Sequence, residues 1–112
     1  HLREPMATYD YHRLIAMREC LRQVQKLLPK SANDGLQFIC HAIDDTDCST
    51  VAVDDVRRYV NASIGPHYTF NGCMETLNPN RKFSDLQIME LRQKFIDSLC
   101  DRLNQEIEKV RP

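Results

Sequence analysis

The chain contains no tryptophan and only three glycines among its 112 residues. Gly35, Gly65 and Gly72 are too scattered to build a glycine-rich phosphate loop. So few glycines also argue against a turn-rich β-sandwich or barrel. No apolar run approaches the length of a membrane span, and no charged-then-apolar leader marks a signal peptide. The formal net charge is only −1, so no global field steers the chain towards DNA or anionic lipid. Among the five cysteines there is no C-x-x-C pair. Cys40 and His41 are adjacent, and His67 lies six residues before Cys73; neither spacing is that of a closed zinc site.

What is present reads as helix. Ser84 and Gln87 form a capping box, and Phe83 and Ile88 are placed for a hydrophobic staple. A long helix is therefore expected from Asp85 to about Lys109, roughly 37 Å at the usual rise per residue. Near the other end, Leu14, Met17, Leu21, Val24 and Leu28 repeat at heptad spacing. They predict a helix from Thr8 or Tyr9 to Leu28, stopped by Pro29. A shorter helix is expected over Leu36 to Asp44. A third follows, capped by Ser49 or Thr50, with Val53, Val56, Val60 and Ile64 on one face and Gly65-Pro66 at its end. Its valines keep a strand over Thr50 to Val53 as the alternative. A fourth short helix is expected from Phe70 to Leu77. The expected fold is an all-α, single-domain bundle of four to five helices with long N- and C-terminal helices. His1 to Pro5 precede Met6-Ala7 and read as an appended remnant, which leaves 6–112 as the helical domain.

Cys20, Cys40, Cys73 and Cys100 each have apolar residues three or four positions away, the pattern of small hydrophobes on buried helix faces. Reduced thiols and a cytoplasmic setting follow. Cys48 lies in a polar loop and is the thiol expected to react.

The densest charged cluster is Asp44, Asp45, Asp47, Asp54 and Asp55. It is not an EF-hand. A loop starting at Asp45 would put Thr50 where glycine is needed and Val56 where a bidentate glutamate is needed. The cluster is either a solvated loop with a helix N-terminus or an acidic patch that meets a basic partner. Cys48 has no base at a supporting spacing, and neither His41 nor His67 is placed as one. No catalytic residue, no metal and no cofactor is expected, and the chain is read as not an enzyme. A helix-turn-helix is disfavoured as well, because Asp54-Asp55 would face DNA phosphates.

Charge is uneven along the chain. Residues 31–80 carry Arg57 and Arg58 against seven acids, whereas the first thirty residues carry six bases against three acids. Arg18, Arg22 and Lys26 line one side of the first helix as a candidate phosphate-facing surface. Tyr11 and Ile15 lie off its main stripe beside Arg18 and Arg22, the composition of a protein-contact patch or of a helix packed on two sides. Arg92 is the anomaly. Ile88, Met89, Phe95 and Ile96 surround it at helical spacing. A charge there must be paired or reach water. Asp54, Asp55, Asp10 or the Asp44–Asp47 loop are the expected partners; the alternatives are a self-association surface and an anionic-ligand pocket.

Phe38-Ile39-Cys40-His41-Ala42-Ile43, with the polar loop and valine-rich helix after it, resembles an element of small helical proteins encoded by tailed bacteriophages. The resemblance covers a third of the chain and carries no catalytic residues. It implies stoichiometric binding and inhibition of a host protein, in the host cytoplasm. The leading expectation is a non-enzymatic protein-binding module, an inhibitor or modulator of a host protein complex. Its expected surfaces are Tyr11, Ile15, Arg18 and Arg22, and Asp44, Asp45, Asp47, Asp54 and Asp55. A homo-dimer through helix faces is a further expectation. The alternative is a small anionic-ligand or nucleic-acid-binding protein using Arg92 or the basic side of the first helix. No membrane partner is expected.

Overall fold

A computed structural model describes residues 9–28, 37–64 and 84–112. Among the described residues there are four α-helices and no strand: α1 (Tyr11–Lys26), α2 (Gln37–Asp44), α3 (Thr50–Ile64) and α4 (Asp85–Val110). The all-α expectation holds for these residues, and the strand alternative over Thr50 to Val53 gives way to the first turn of α3. The helix expected over Phe70 to Leu77 and the Phe83 staple lie outside the described residues.

Local chemistry explains the boundaries. Asp10, not Thr8 or Tyr9, caps α1; its carboxylate accepts the Arg13 amide at 2.9 Å. Tyr9 is buried just ahead of the cap. The far end of α1 comes one residue after Gln25, where the Leu27 amide bonds back to the Gln23 and Val24 carbonyls. At 16 residues α1 is scarcely longer than the 15-residue α3, so among the described residues α4 alone is a long helix. Thr46 closes α2 by donating its hydroxyl to the Ile43 carbonyl at 2.7 Å. Ser49 caps α3 through the Ala52 amide at 3.2 Å. The capping box of α4 is present in both directions, Gln87 amide to Ser84 Oγ at 3.2 Å and Ser84 amide to Gln87 Oε1 at 2.9 Å. Its 26 residues span about 39 Å.

α1 packs against α4, α3 and α2, and α2 also packs on α3. The expected seam of α1 is the centre of the core, with Leu14, Met17, Leu21 and Val24 all at 1% exposure or less. Ile39 and Ile43 meet it from α2, and Val56, Tyr59 and Val60 from α3. Ile96, Leu99, Leu103 and Ile107 meet it from α4. α1 thus packs on all three of the other described helices. Tyr59 links α3 to α4 by donating its hydroxyl to the Leu99 carbonyl at 3.3 Å. Arg102 stacks over its ring with the guanidinium carbon 5.8 Å from the centroid.

Candidate functional site

The acidic residues separate into two groups once folded. Asp44, Asp45, Asp47 and Asp54 are exposed around the turn between α2 and α3. Asp55 is buried. α3 turns Asp55 inward, where Arg13 of α1 grips it through Nε at 3.0 Å and a terminal nitrogen at 2.6 Å. Arg58 adds a bond at 2.7 Å from one turn along α3. The Arg13 guanidinium also lies over the Tyr9 ring, 5.2 Å from its centroid. Burial alone would push the Asp55 carboxyl up; the bonds from Arg13 and Arg58 outweigh it and hold the group below the usual carboxylate range. Asp55 therefore joins two helices and is not available to an outside partner, which corrects its place in the expected acidic surface. The spacing hid this, since Asp54 and Asp55 are neighbours that differ only in which side of the helix they occupy.

The remaining corner is acidic and open. Arg57 is its cation: it pairs with Asp44, and one of its nitrogens lies 4.0 Å from Asp54. Four carboxylates against one guanidinium leave this corner at −3. Val51 is 58% exposed within the same segment. The turn itself is anchored to α1, because the Asp47 amide donates to Gln23 Oε1 at 3.0 Å.

The basic side of α1 is engaged within the chain. Arg18 donates to Asn104 Oδ1 at 2.8 Å, and Arg22 donates to Asp97 at 2.7 Å. Gln25 donates to Asp97 at 2.9 Å and to the Gln93 carbonyl at 3.2 Å; Gln93 returns a bond to the Gln25 carbonyl at 3.0 Å. Gln25 first, then Arg22, holds the Asp97 carboxyl below its usual range. These side chains form a polar seam along the edge of the α1–α4 contact. Tyr11 and Ile15 are half-buried and packed on the core cluster. Their partial burial fits the two-sided-packing reading.

Arg92 is fully buried on α4, at 0% exposure within a single chain. Its burial needs no second copy.

Burial pushes the Cys20 thiol up to about 12 and the Cys100 thiol upwards as well, as expected of core cysteines. Among the described residues Cys40 departs from that expectation, being exposed on α2, and Cys48 is half-buried in the turn; Cys73 lies outside the described residues. Among the described residues no group of three or more His, Cys, Asp or Glu is arranged to hold a metal ion. No described helix is long and apolar enough to cross a membrane. No protein-family model matches the chain, and neither a curated protein nor a solved structure matches it.

Proposed function

We propose that this chain is a non-enzymatic binding protein that docks a basic protein surface through the corner between α2 and α3. The observation that carries this reading is the separation of the acids. Asp55 is committed to holding the helices together, while Asp44, Asp45, Asp47 and Asp54 remain exposed beside the exposed Val51. Repulsion among four nearby carboxylates costs stability in the isolated chain and is relieved by a cationic partner. The resemblance of the 38–43 segment to small phage-encoded helical proteins supports the same kind of activity. On that reading the partner is a host protein complex in the cytoplasm, and the chain inhibits or modulates it by occupancy.

The nucleic-acid alternative has less support. Arg18 and Arg22 of its proposed surface bond to α4, and Arg92 is enclosed. Asp97 already balances the charge of Arg22 on that side of α1, which weakens its pull on a phosphate.

A triple variant, Asp44→Lys with Asp45→Lys and Asp47→Lys, tests the reading. Immobilised wild-type and variant chains are compared for capture of proteins from a nuclease-treated bacterial lysate. The expected result is a protein retained by the wild type and lost from the variant, with unchanged helical circular dichroism in both. Equal retention by both chains, or material retained only before nuclease treatment, overturns it.

A further inference from the structure

Two arginines converge where α1 packs on α3. Arg13 holds the buried Asp55 carboxylate through Nε and one terminal nitrogen, at 3.0 and 2.6 Å. Arg58, on α3, bonds to the same oxygen that the terminal nitrogen of Arg13 does, Oδ1, at 2.7 Å. Two guanidiniums therefore stand side by side against one shared atom. Arg13 alone already gives Asp55 a forked ion pair. Arg58 adds a second positive charge beside the first, at a cost in repulsion. The cluster of three side chains carries a surplus of +1. It is also held in place. Asp55 is 1% exposed, and the Arg13 guanidinium lies over the ring of the buried Tyr9. The outer parts of both arginines reach water, their side chains being 39% and 64% exposed. A guanidinium has five N–H donors. Asp55 occupies two on Arg13 and one on Arg58, so each retains donors for a second acceptor.

We propose that Arg13 and Arg58 form a clamp for a phosphomonoester dianion, with the buried Asp55 as its fixed base. A tetrahedral phosphate presents oxygens in several directions, so it accepts from both guanidiniums at once, and forked contacts of this kind suit arginine. A carboxylate ligand offers one charge and two oxygens, and it gains less against the repulsion of Asp55. Asp55 and Tyr9 already fix the Arg13 fork, so binding sacrifices little further side-chain freedom there. The acids next along the chain have contacts of their own. Asp10 accepts the Arg13 amide as the cap of α1, and Asp54 lies 4.0 Å from Arg57. The clamp does not use the acidic corner between α2 and α3. Arg57 and Arg58 are adjacent on α3, but Arg57 pairs with Asp44 in that corner and Arg58 pairs with Asp55.

The test titrates inorganic phosphate into the whole chain at neutral pH, against sodium chloride of equal ionic strength. The Nε–H resonances of Arg13 and Arg58 should shift together and saturate with phosphate but not with chloride. Arg58→Gln keeps the Arg13–Asp55 pair, so it should stay folded and weaken phosphate binding by about tenfold or more. Arg22→Gln removes a partly exposed arginine from the α1–α4 edge and should bind as the wild type does. Glycerol 3-phosphate and phosphatidate-containing vesicles then separate the two sources of the same group. A free phosphomonoester is the ligand if glycerol 3-phosphate reproduces the response, and a lipid headgroup is if vesicles sediment the wild type but not Arg58→Gln. No saturating response at Arg13 and Arg58, or an equal response in Arg58→Gln, overturns the proposal. Should Arg58→Gln fail to fold, Arg58→Lys takes its place; it keeps the charge, loses the fork and should also weaken binding.

Discussion

Asp55 shows how one side chain can look functional in the sequence and be structural in the fold. Its carboxylate is 1% exposed and bonded to two arginines from different helices. Removing the charge leaves Arg13 and Arg58 facing each other across an empty partner. Asp55→Ala should therefore cost about 3 kcal/mol, at the lower end for a buried pair because both arginines retain access to water. Urea unfolding checks it; a loss within error of zero would show the cluster to be dispensable. Arg92 offers a second test at this scale. Methionine approaches its volume and alanine does not, so Arg92→Met should retain more stability than Arg92→Ala, which opens a cavity in the buried face of α4. The reverse order in thermal melts would mean that side-chain bulk at position 92 does not hold that face of α4 together.

At the scale of the helices, ends and seams carry different weights. Ser84 satisfies an amide that would otherwise lack a partner at the start of α4. Ser84→Ala should cost about 1 kcal/mol, read from the unfolding midpoint at constant m. The α1–α4 edge should behave otherwise. Arg22 and Asp97 are 44% and 54% exposed, so their attraction is screened. A double-mutant cycle should find a coupling that is small at low salt and vanishes at high salt. The Arg13–Asp55 cycle should keep its coupling under the same conditions, because one partner is out of water. Equal salt sensitivity of the two pairs would contradict the burial difference between them.

Across the whole molecule, acid should act through the paired carboxylates. Asp55 and Asp97 both have lowered affinities for protons when folded. An unfolded aspartate titrates near about 4. The stabilisation is thus complete above that pH and is lost as pH falls from there towards the lower folded values. Wild-type stability should decline below about pH 4. Asp55→Asn should be less stable at pH 7 and should show a shallower decline, measured by urea midpoints along a pH series. A parallel decline in the two chains would mean that other carboxylates dominate acid unfolding.

Much of the architecture was legible without coordinates, because it depends on near neighbours. The capping box at Ser84, the cap at Ser49 and the 3–4 spacing of Leu14, Met17, Leu21 and Val24 are encoded within one or two turns. The all-α class and the helix starts at Thr50 and Asp85 follow from such signals. What needed tertiary structure depends on contacts between distant residues. Arg13 meets Asp55 across 42 positions, and Gln25 meets Gln93 across 68. No periodicity marks these pairs, since hydrogen-bond geometry is set by how helices cross and not by their spacing in the chain. The same crossing decided that Asp55 points inward while Asp54 faces water, and that α1 lies at the centre.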